Sequence, residues 1–399
     1  MDSLSAKLPA PIRASVARLP VSGIHEVFKL GYGRPGLIPL WVGEGDRPTP
    51  DFIGRAATAA LQAGKTYYNP KRGIPELRDA LARYETRLHG RPLDVARITV
   101  TSSGMSGFVL LMQTLIDPGD EVIVVSPLWP NAAAAVEVAS GRVVPVALDP
   151  LPHGGFRLDP GKVAAAIGPK TRALILASPG NPTGWVAEAA LQRALLALCK
   201  ERALWLIADE VYIRFDYRPR GPKGGETRTP SFLDFAQPDD PLIVVNSFSK
   251  AWAMTGWRLG WLVHPAALGD TLETLLEFAT SGAPHFLQYG CIAALEEGEA
   301  FVAETVERCR QGGELVYQAL ASLPRVRLAR PAGAFYAFFA VDGMDDSLAM
   351  AKQLLQQTNV GLAPGSAFGP GGEGHLRLCF AASLDRLSEA MERLRPALR

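Results

Sequence analysis

At 399 residues the chain is longer than one hydrophobic core sustains, so two domains are expected. Its 41 Lys and Arg balance 40 Asp and Glu for a net charge of +1, with no run of like charge. That excludes the basic footprint of a nucleic-acid binder or of a protein drawn to an anionic membrane, and it leaves a small molecule as the expected ligand. Cys199, Cys291, Cys309 and Cys379 form no C-x-x-C and no Cys/His metal spacing, and they read as free thiols in a reducing compartment, with no metal expected. Residues 1–9 lack the apolar core of a signal peptide, and no apolar stretch reaches the roughly 18 residues of a membrane span. The expected location is the cytoplasm.

Residues 1–45 are rich in Pro, Gly and scattered basic residues and read as an arm that needs a packing partner to be ordered. Two Gly patterns, at 31–36 and 369–374, match G-x-G-x-x-G or approach it. The first has no strand before it and carries Pro35 where a helix would open, and the second is a Gly/Pro loop between strands, so neither is read as a nucleotide site. Residues 40–50 read as a short strand ending in a turn, where Gly43 lets backbone approach a ligand closely or simply makes the turn. A helix over 51–63 follows. Apolar strand runs then appear at 98–101, 121–126, 143–148, 173–177, 204–208, 242–245 and 259–263, with helical stretches such as 104–116, 131–140, 187–202 and 266–278 between many of them. This alternation predicts an α/β fold with a mostly parallel seven-stranded sheet covered on both faces, over residues 46–298. From 299 a long helix leads into a smaller unit, 299–399, with strands at 325–328, 334–341, 360–362 and 376–380 and a terminal helix at 384–395.

Ligands in parallel sheets bind beyond the carboxyl ends of the strands, and the chemistry-bearing residues fall at such ends. Thr101-Ser102-Ser103-Gly104-Met105 closes a strand and opens a helix, whose free amides and macrodipole make an anion site with Ser103 and Gly104 as donors, or an ordinary N-cap. Trp129 follows the strand 121–126 and can stack on a flat ring, although tryptophan more often fills a core. Ser178-Pro179-Gly180-Asn181-Pro182-Thr183-Gly184 is a tight loop that presents a single amide side chain. Asp209 ends an apolar strand, where a buried carboxylate is unfavourable without a cationic partner. Lys250, in Asn246-Ser247-Phe248-Ser249-Lys250, also lies at a strand end. Held in a partly desolvated pocket, such an amine loses basicity and becomes a nucleophile for a carbonyl, which makes Lys250 the candidate Schiff-base lysine. Arg377, inside the apolar run 376–380, needs an anion.

Each of these motifs is ambiguous alone. Ser247-x-x-Lys250 followed by Met254-Thr255-Gly256-Trp257-Arg258-x-Gly260 resembles the pyridoxal-phosphate (PLP) lysine segment of the class I/II, aspartate/aromatic-like aminotransferases, and the resemblance runs over almost the whole chain. It implies fold type I with Asp209 on the pyridine nitrogen, which keeps the ring an electron sink. By the same resemblance Asn181 and Tyr212 meet the phenolic oxygen, Trp129 stacks on the ring after a cis Ser126-Pro127 bond, and Ser247 and Arg258 hold the phosphate beside Ser103, Gly104 and Met105. Tyr68, in Tyr68-Asn69-Pro70-Lys71-Arg72-Gly73, matches the tyrosine that reaches the phosphate of the neighbouring subunit, which implies a homodimer. Arg377 is implied to bind the substrate α-carboxylate, with Gly43, Trp129 and Asn181 also at the substrate.

The implied activity is ping-pong transfer of an amino group from an L-amino acid to a 2-oxo acid, 2-oxoglutarate or pyruvate, with Lys250, Asp209 and Tyr212 as catalytic residues. Relatives that act on aspartate often carry a basic residue where this chain has Met105, so a neutral, aromatic or broad donor is expected at least as readily. Glu210 and the six histidines match no cofactor contact and read as structural. A carbon-sulfur β-lyase on the same fold shares the cofactor residues and stays open. A non-catalytic regulator on an aminotransferase-like domain is a remoter alternative.

Overall fold

The computed structural model describes residues 10–218 and 227–399; the signal-peptide reading and the first part of the arm, which fall on 1–9, lie outside the described residues. Seven strands form the main sheet in the order Ile98–Thr101, Gly260–Val263, Leu242–Ser247, Trp205–Asp209, Thr171–Ala177, Glu121–Ser126, Arg142–Ala147. Six run parallel. Gly260–Val263 is antiparallel to both of its neighbours.

Alternation along the strands builds two cores. Ile123, Val125, Leu174, Leu176, Leu206 and Val244 join the core on one face. Their chain neighbours Val122, Val124, Ala173, Ile175, Ile207 and Val245 join a separate core on the other, where Phe108, Leu111, Val136 and Leu272 arrive from the helices Gly104–Leu115, Pro130–Val138 and Gly269–Ala279. The helices Pro75–His89, Ala189–Glu201 and His285–Glu297 cover the first face. Each Val, Leu or Ile so buried contributes about 1.5–3 kcal/mol, so both faces are fixed and only the strand ends remain free for chemistry.

The C-terminal part begins with the long helix Glu299–Ala321 and holds a four-stranded antiparallel sheet, ordered Val326–Arg327, Tyr336–Val341, His375–Cys379, Ala363–Pro364. The helices Ser347–Thr358 and Leu384–Leu398 complete it. Three local expectations are corrected here. The strand expected over 40–50 is instead Ile38–Pro39, paired in parallel with Val360–Gly361, so the run 360–362 belongs to this two-stranded sheet and the four-stranded edge is Ala363–Pro364. Leu40 only extends the pairing through its amide to the Gly361 carbonyl, and the chain then bends toward the site. The helix expected from 266 opens with a 3-10 turn, Ala266–Leu268, after Pro265, and the α-helix proper is Gly269–Ala279.

The arm carries the helix Gly23–Gly31, which packs on Ser347–Thr358. Gly31 is needed there, since a Cβ would come within 2.3 Å of the Trp41 ring. No helix of the described residues is long and apolar enough to cross a membrane.

Candidate active site

Beyond the carboxyl ends of the sheet lies a cavity of about 340 Å³. Gly104 and Met105 enter it from the helix after the first strand, Trp129 from beyond Ser126, Asn181 from the loop after Ala177, and Asp209 and Tyr212 from the next strand end. Ser247, Lys250 and Arg258 line it from the segment after Leu242–Ser247, while Gly43 and Arg377 close it from the bend and the smaller sheet. The peptide bond Ser126-Pro127 is cis, as are Ser178-Pro179 and Asn181-Pro182.

All but two of the site residues singled out in the sequence line this one cavity. Ser103 lies behind the lining, buried, and its hydroxyl accepts from the Ser106 amide as an N-cap, so the capping reading of Ser103 holds for its side chain. Its carbonyl takes the Gly107 amide, which leaves the first amides of the helix, those of Gly104 and Met105, for a ligand. Tyr68 is 86% exposed and lies outside the cavity, with the Lys71 ammonium over its ring.

Charges in the cavity are set unusually. Asp209 is buried, accepts only the Val211 amide at 3.3 Å, and has no ion pair among the described residues. Burial pushes its carboxyl up to about 6. Arg377 is buried on the facing sheet, where its guanidinium donates to Asn181 Oδ1 at 2.9 Å and to the Trp41 carbonyl. Its Nε has no partner and no carboxylate faces it among the described residues. A buried cation and a buried carboxylate in one cavity, each without a counter-ion, call for a ligand with an anionic end and a cationic end.

Lys250 donates to the Gly43 carbonyl at 2.7 Å. The protein closes round its amine, and this burial brings it down to about 8, with Arg377 adding to the effect. Gly43 has to be glycine, because a Cβ there would come within 2.1 Å of the Tyr336 hydroxyl. Ser247 Oγ donates to Ser249 Oγ at 2.9 Å or to the Leu259 carbonyl at 3.2 Å. Arg258 follows the 3-10 turn Thr255–Trp257 in a left-handed conformation, φ +56°, with Nη1 on the Thr255 carbonyl. Its guanidinium is exposed to the cavity and has no carboxylate partner among the described residues.

The family model for aminotransferase class I and II matches residues 36–394. The chain belongs to this family. An arginine–pyruvate transaminase of Pseudomonas aeruginosa is 37% identical over 363 residues, covering 90% of this chain and 89% of that one. An aspartate/prephenate aminotransferase of Thermus thermophilus is 36% identical over 360 residues, with 90% of each chain covered. A solved structure of Thermus thermophilus aspartate aminotransferase with maleate superposes with a TM-score of 0.88 at 34% identity, covering 98% of this chain and 100% of that chain. These relatives are all transaminases, which disfavours the β-lyase alternative.

This aminotransferase is therefore a fold-type I enzyme that uses PLP. The cavity fits the cofactor on its own evidence, because a carboxylate lacking a cation, an exposed guanidinium and free helix amides suit a pyridinium and a phosphate.

Several lining residues carried no sequence signal. Tyr336 opens a strand that reads only as apolar, Ile24 comes from the arm helix, and Glu44 follows the bend. Gly260 lies just behind the lining. A Cβ there would stand 2.7 Å from the Gly104 amide nitrogen, so glycine lets the helix N-terminus settle on the strand end. A glycine opening an otherwise bulky strand was the signal available for it.

Glu210, read as structural, accepts from Ser231 Oγ at 2.6 Å and from the Phe232 amide at 3.2 Å.

Proposed function

We propose that the enzyme takes its amino group from an L-amino acid with an uncharged, aliphatic or aromatic side chain and passes it to a small 2-oxo acid, pyruvate in preference to 2-oxoglutarate, whose second carboxylate finds no cation in the lining. The observation behind this reading is the allocation of cations. Within the subunit, the described lining residues include only Lys250, Arg258 and Arg377 as cations. Arg258, with Ser247 and the Gly104 and Met105 amides, holds the cofactor phosphate by charge-assisted bonds. Arg377 holds the substrate α-carboxylate through its free Nε. Lys250 is the base. No cation remains for a second, distal carboxylate, and the position that would offer one is Met105, in a lining that also holds Ile24 and Phe108.

Bound there, PLP supplies the electron sink for a carbanion at the substrate Cα. Asp209 holds the ring nitrogen as a cation. Asn181 offers its amide N–H to the phenolic oxygen, since its carbonyl is taken by Arg377, and Tyr212 donates to the same oxygen. Trp129 would stack against the ring, and Gly43 keeps the substrate side of the cavity open. Lys250, brought down to about 8 by burial, is neutral in a useful fraction near neutral pH and would serve as the base at the substrate Cα proton.

The protein works as a cytoplasmic homodimer in which Tyr68 reaches the partner's phosphate site. Supporting this, Tyr67 and Phe278, like Tyr68, are more than 80% exposed, large ring surface that a partner would cover. Of the arm, Gly23–Gly31 packs with the small domain 299–399, against Ser347–Thr358, whereas Ala14–Ala17 packs on Pro130–Val138 of the large domain 46–298; the small domain closes over the large one when Arg377 takes the carboxylate.

The test is a half-reaction screen. The purified holoenzyme is mixed with each standard amino acid, and loss of its visible cofactor absorbance is followed, then recovery on adding pyruvate or 2-oxoglutarate. Leucine, methionine or phenylalanine should react fastest; arginine as the best donor, drawn by Glu44 in the lining, would overturn the uncharged reading. Aspartate as the best donor would overturn the reading of Met105. Absorbance lost without recovery on adding either oxo acid, with ammonia released, would replace transfer by elimination.

A further inference from the structure

Tyr336 is not among the residues given a role above, yet it touches most of them. It is 1% exposed at the start of the strand Tyr336–Val341. Its ring lies under the Arg377 guanidinium, 4.6 Å from ring centre to Cζ, and meets the Tyr212 ring edge to face at 5.5 Å and 80°. Its hydroxyl stands 2.6 Å from that of Tyr212. Gly43, whose carbonyl holds Lys250, makes the room for that hydroxyl.

The direction of the bond between the two phenols follows from proton counting. Burial pushes both hydroxyls above their ordinary value, so each keeps its proton at neutral pH. Each has one proton to give and can accept two. When Tyr212 gives its only proton to the cofactor's phenolic oxygen, the contact with Tyr336 survives only with Tyr336 as the donor.

We propose that Tyr336 is a positioning residue of the transamination site, whose hydroxyl donates to Tyr212 and so commits the Tyr212 proton to the phenolic oxygen, while its ring supports Arg377 from below. The proposal rests on the roles of Tyr212 and Arg377 given under the proposed function. One side chain then links the cofactor end of the cavity to the carboxylate end. It also links the two sheets, since Tyr212 follows the strand Trp205–Asp209, whereas Tyr336 and Arg377 lie on paired strands of the smaller sheet, in register as Tyr336↔Cys379 and Phe338↔Arg377.

The experiment compares Tyr336→Phe, Tyr336→Leu and Tyr212→Phe as PLP-loaded enzymes. Two things are read: the pH midpoint of the bound cofactor's visible absorbance, and KM against kcat for the best donor. Tyr336→Phe removes only the hydroxyl. A phenolic oxygen less well served by donors keeps a proton on the cofactor to higher pH, so the midpoint should rise by roughly half a pH unit. The donor KM should stay within about twofold, because the ring still carries Arg377. Tyr336→Leu should show the same rise and, in addition, a KM raised roughly tenfold. Tyr212→Phe should shift the midpoint further than either.

A wild-type midpoint in Tyr336→Phe beside a shifted one in Tyr212→Phe overturns the hydroxyl's role and leaves the Tyr212 assignment standing. Wild-type midpoints in both overturn the assignment and the proposal together. A wild-type KM in Tyr336→Leu overturns the support of Arg377.

Discussion

At Asp209, stability and function pull in opposite directions. Its carboxyl is raised from 3.8 to about 6 by burial, and the nearest amide, on Val211, only partly offsets this. A carboxyl raised on folding penalises the folded state above its folded pKa, here above about pH 6, and the penalty disappears as pH falls below the ordinary value. The size of the shift corresponds to about 3 kcal/mol. Asp209→Asn should therefore raise the melting temperature of the cofactor-free protein at pH 7.5 by several degrees while lowering turnover at least a hundredfold, because in the proposed role of Asp209 the amide would no longer hold the ring nitrogen as a cation. Calorimetry of the apoprotein beside steady-state rates decides it, and an apoprotein made less stable by the change would show that the carboxylate has a partner of its own. The burial behind this cost was legible in the sequence, where the carboxylate ends the apolar run Leu204 to Ala208. The same logic found Lys250 and Arg377. It missed Tyr336, because that side chain takes its place from a Cβ that Gly43 lacks, and such a fit between distant segments leaves no local pattern.

The elements were most legible where burial is two-sided. Six of the seven strands of the main sheet are buried almost throughout, and they and the edge strand Arg142–Ala147 followed from their apolar runs, although the direction of Gly260–Val263 did not, since a strand buried on both faces reads the same either way. Two-residue strands such as Ile38–Pro39 and Ala363–Pro364 have no periodicity to read. Nor did the sequence show how the helix Pro75–His89 is fastened at its last residue. The His89 side chain is 4% exposed, with Nε2 3.0 Å from Glu85 Oε2 and Nδ1 2.8 Å from Asp234 Oδ1. Two carboxylate acceptors require both ring nitrogens to carry protons. Burial works against that charge, but the bonds to Asp234 and Glu85 outweigh it and hold the imidazole up to about 9. A group raised in this way lends stability that is complete below its ordinary 6.5 and is lost as pH climbs through 9, about 3 kcal/mol in all. His89→Asn should thus lower the melting temperature by several degrees at pH 6.5, and the gap to the parent protein should narrow steadily up to pH 10. A gap of constant width across that range would mean that packing, not charge, fastens the helix.

At the scale of the whole molecule, the decisive question is whether the cavity is complete within one chain. The subunit brings Lys250, Arg258 and Arg377 together, yet it leaves Tyr68 exposed on the outside with Tyr67 beside it. If each site is built from Lys250 of one subunit and Tyr68 of its partner, two variants with different defects can repair each other. Lys250→Ala alone removes the base, and Tyr68→Ala alone should weaken PLP binding at least tenfold through loss of a phosphate contact. A hybrid of the two has one site with both defects and one with neither, because the intact Lys250 and the intact Tyr68 then meet across the interface. Random reassortment makes half of the dimers hybrids, so the mixture should recover roughly a quarter of wild-type activity at limiting PLP. Recovery must follow subunit exchange: mixing after denaturation and refolding should show it, and mixing variants cross-linked beforehand should not. Activity no higher than the sum of the separate variants would place Tyr68 outside the partner's site, and the subunit would then hold its cofactor with its own residues alone.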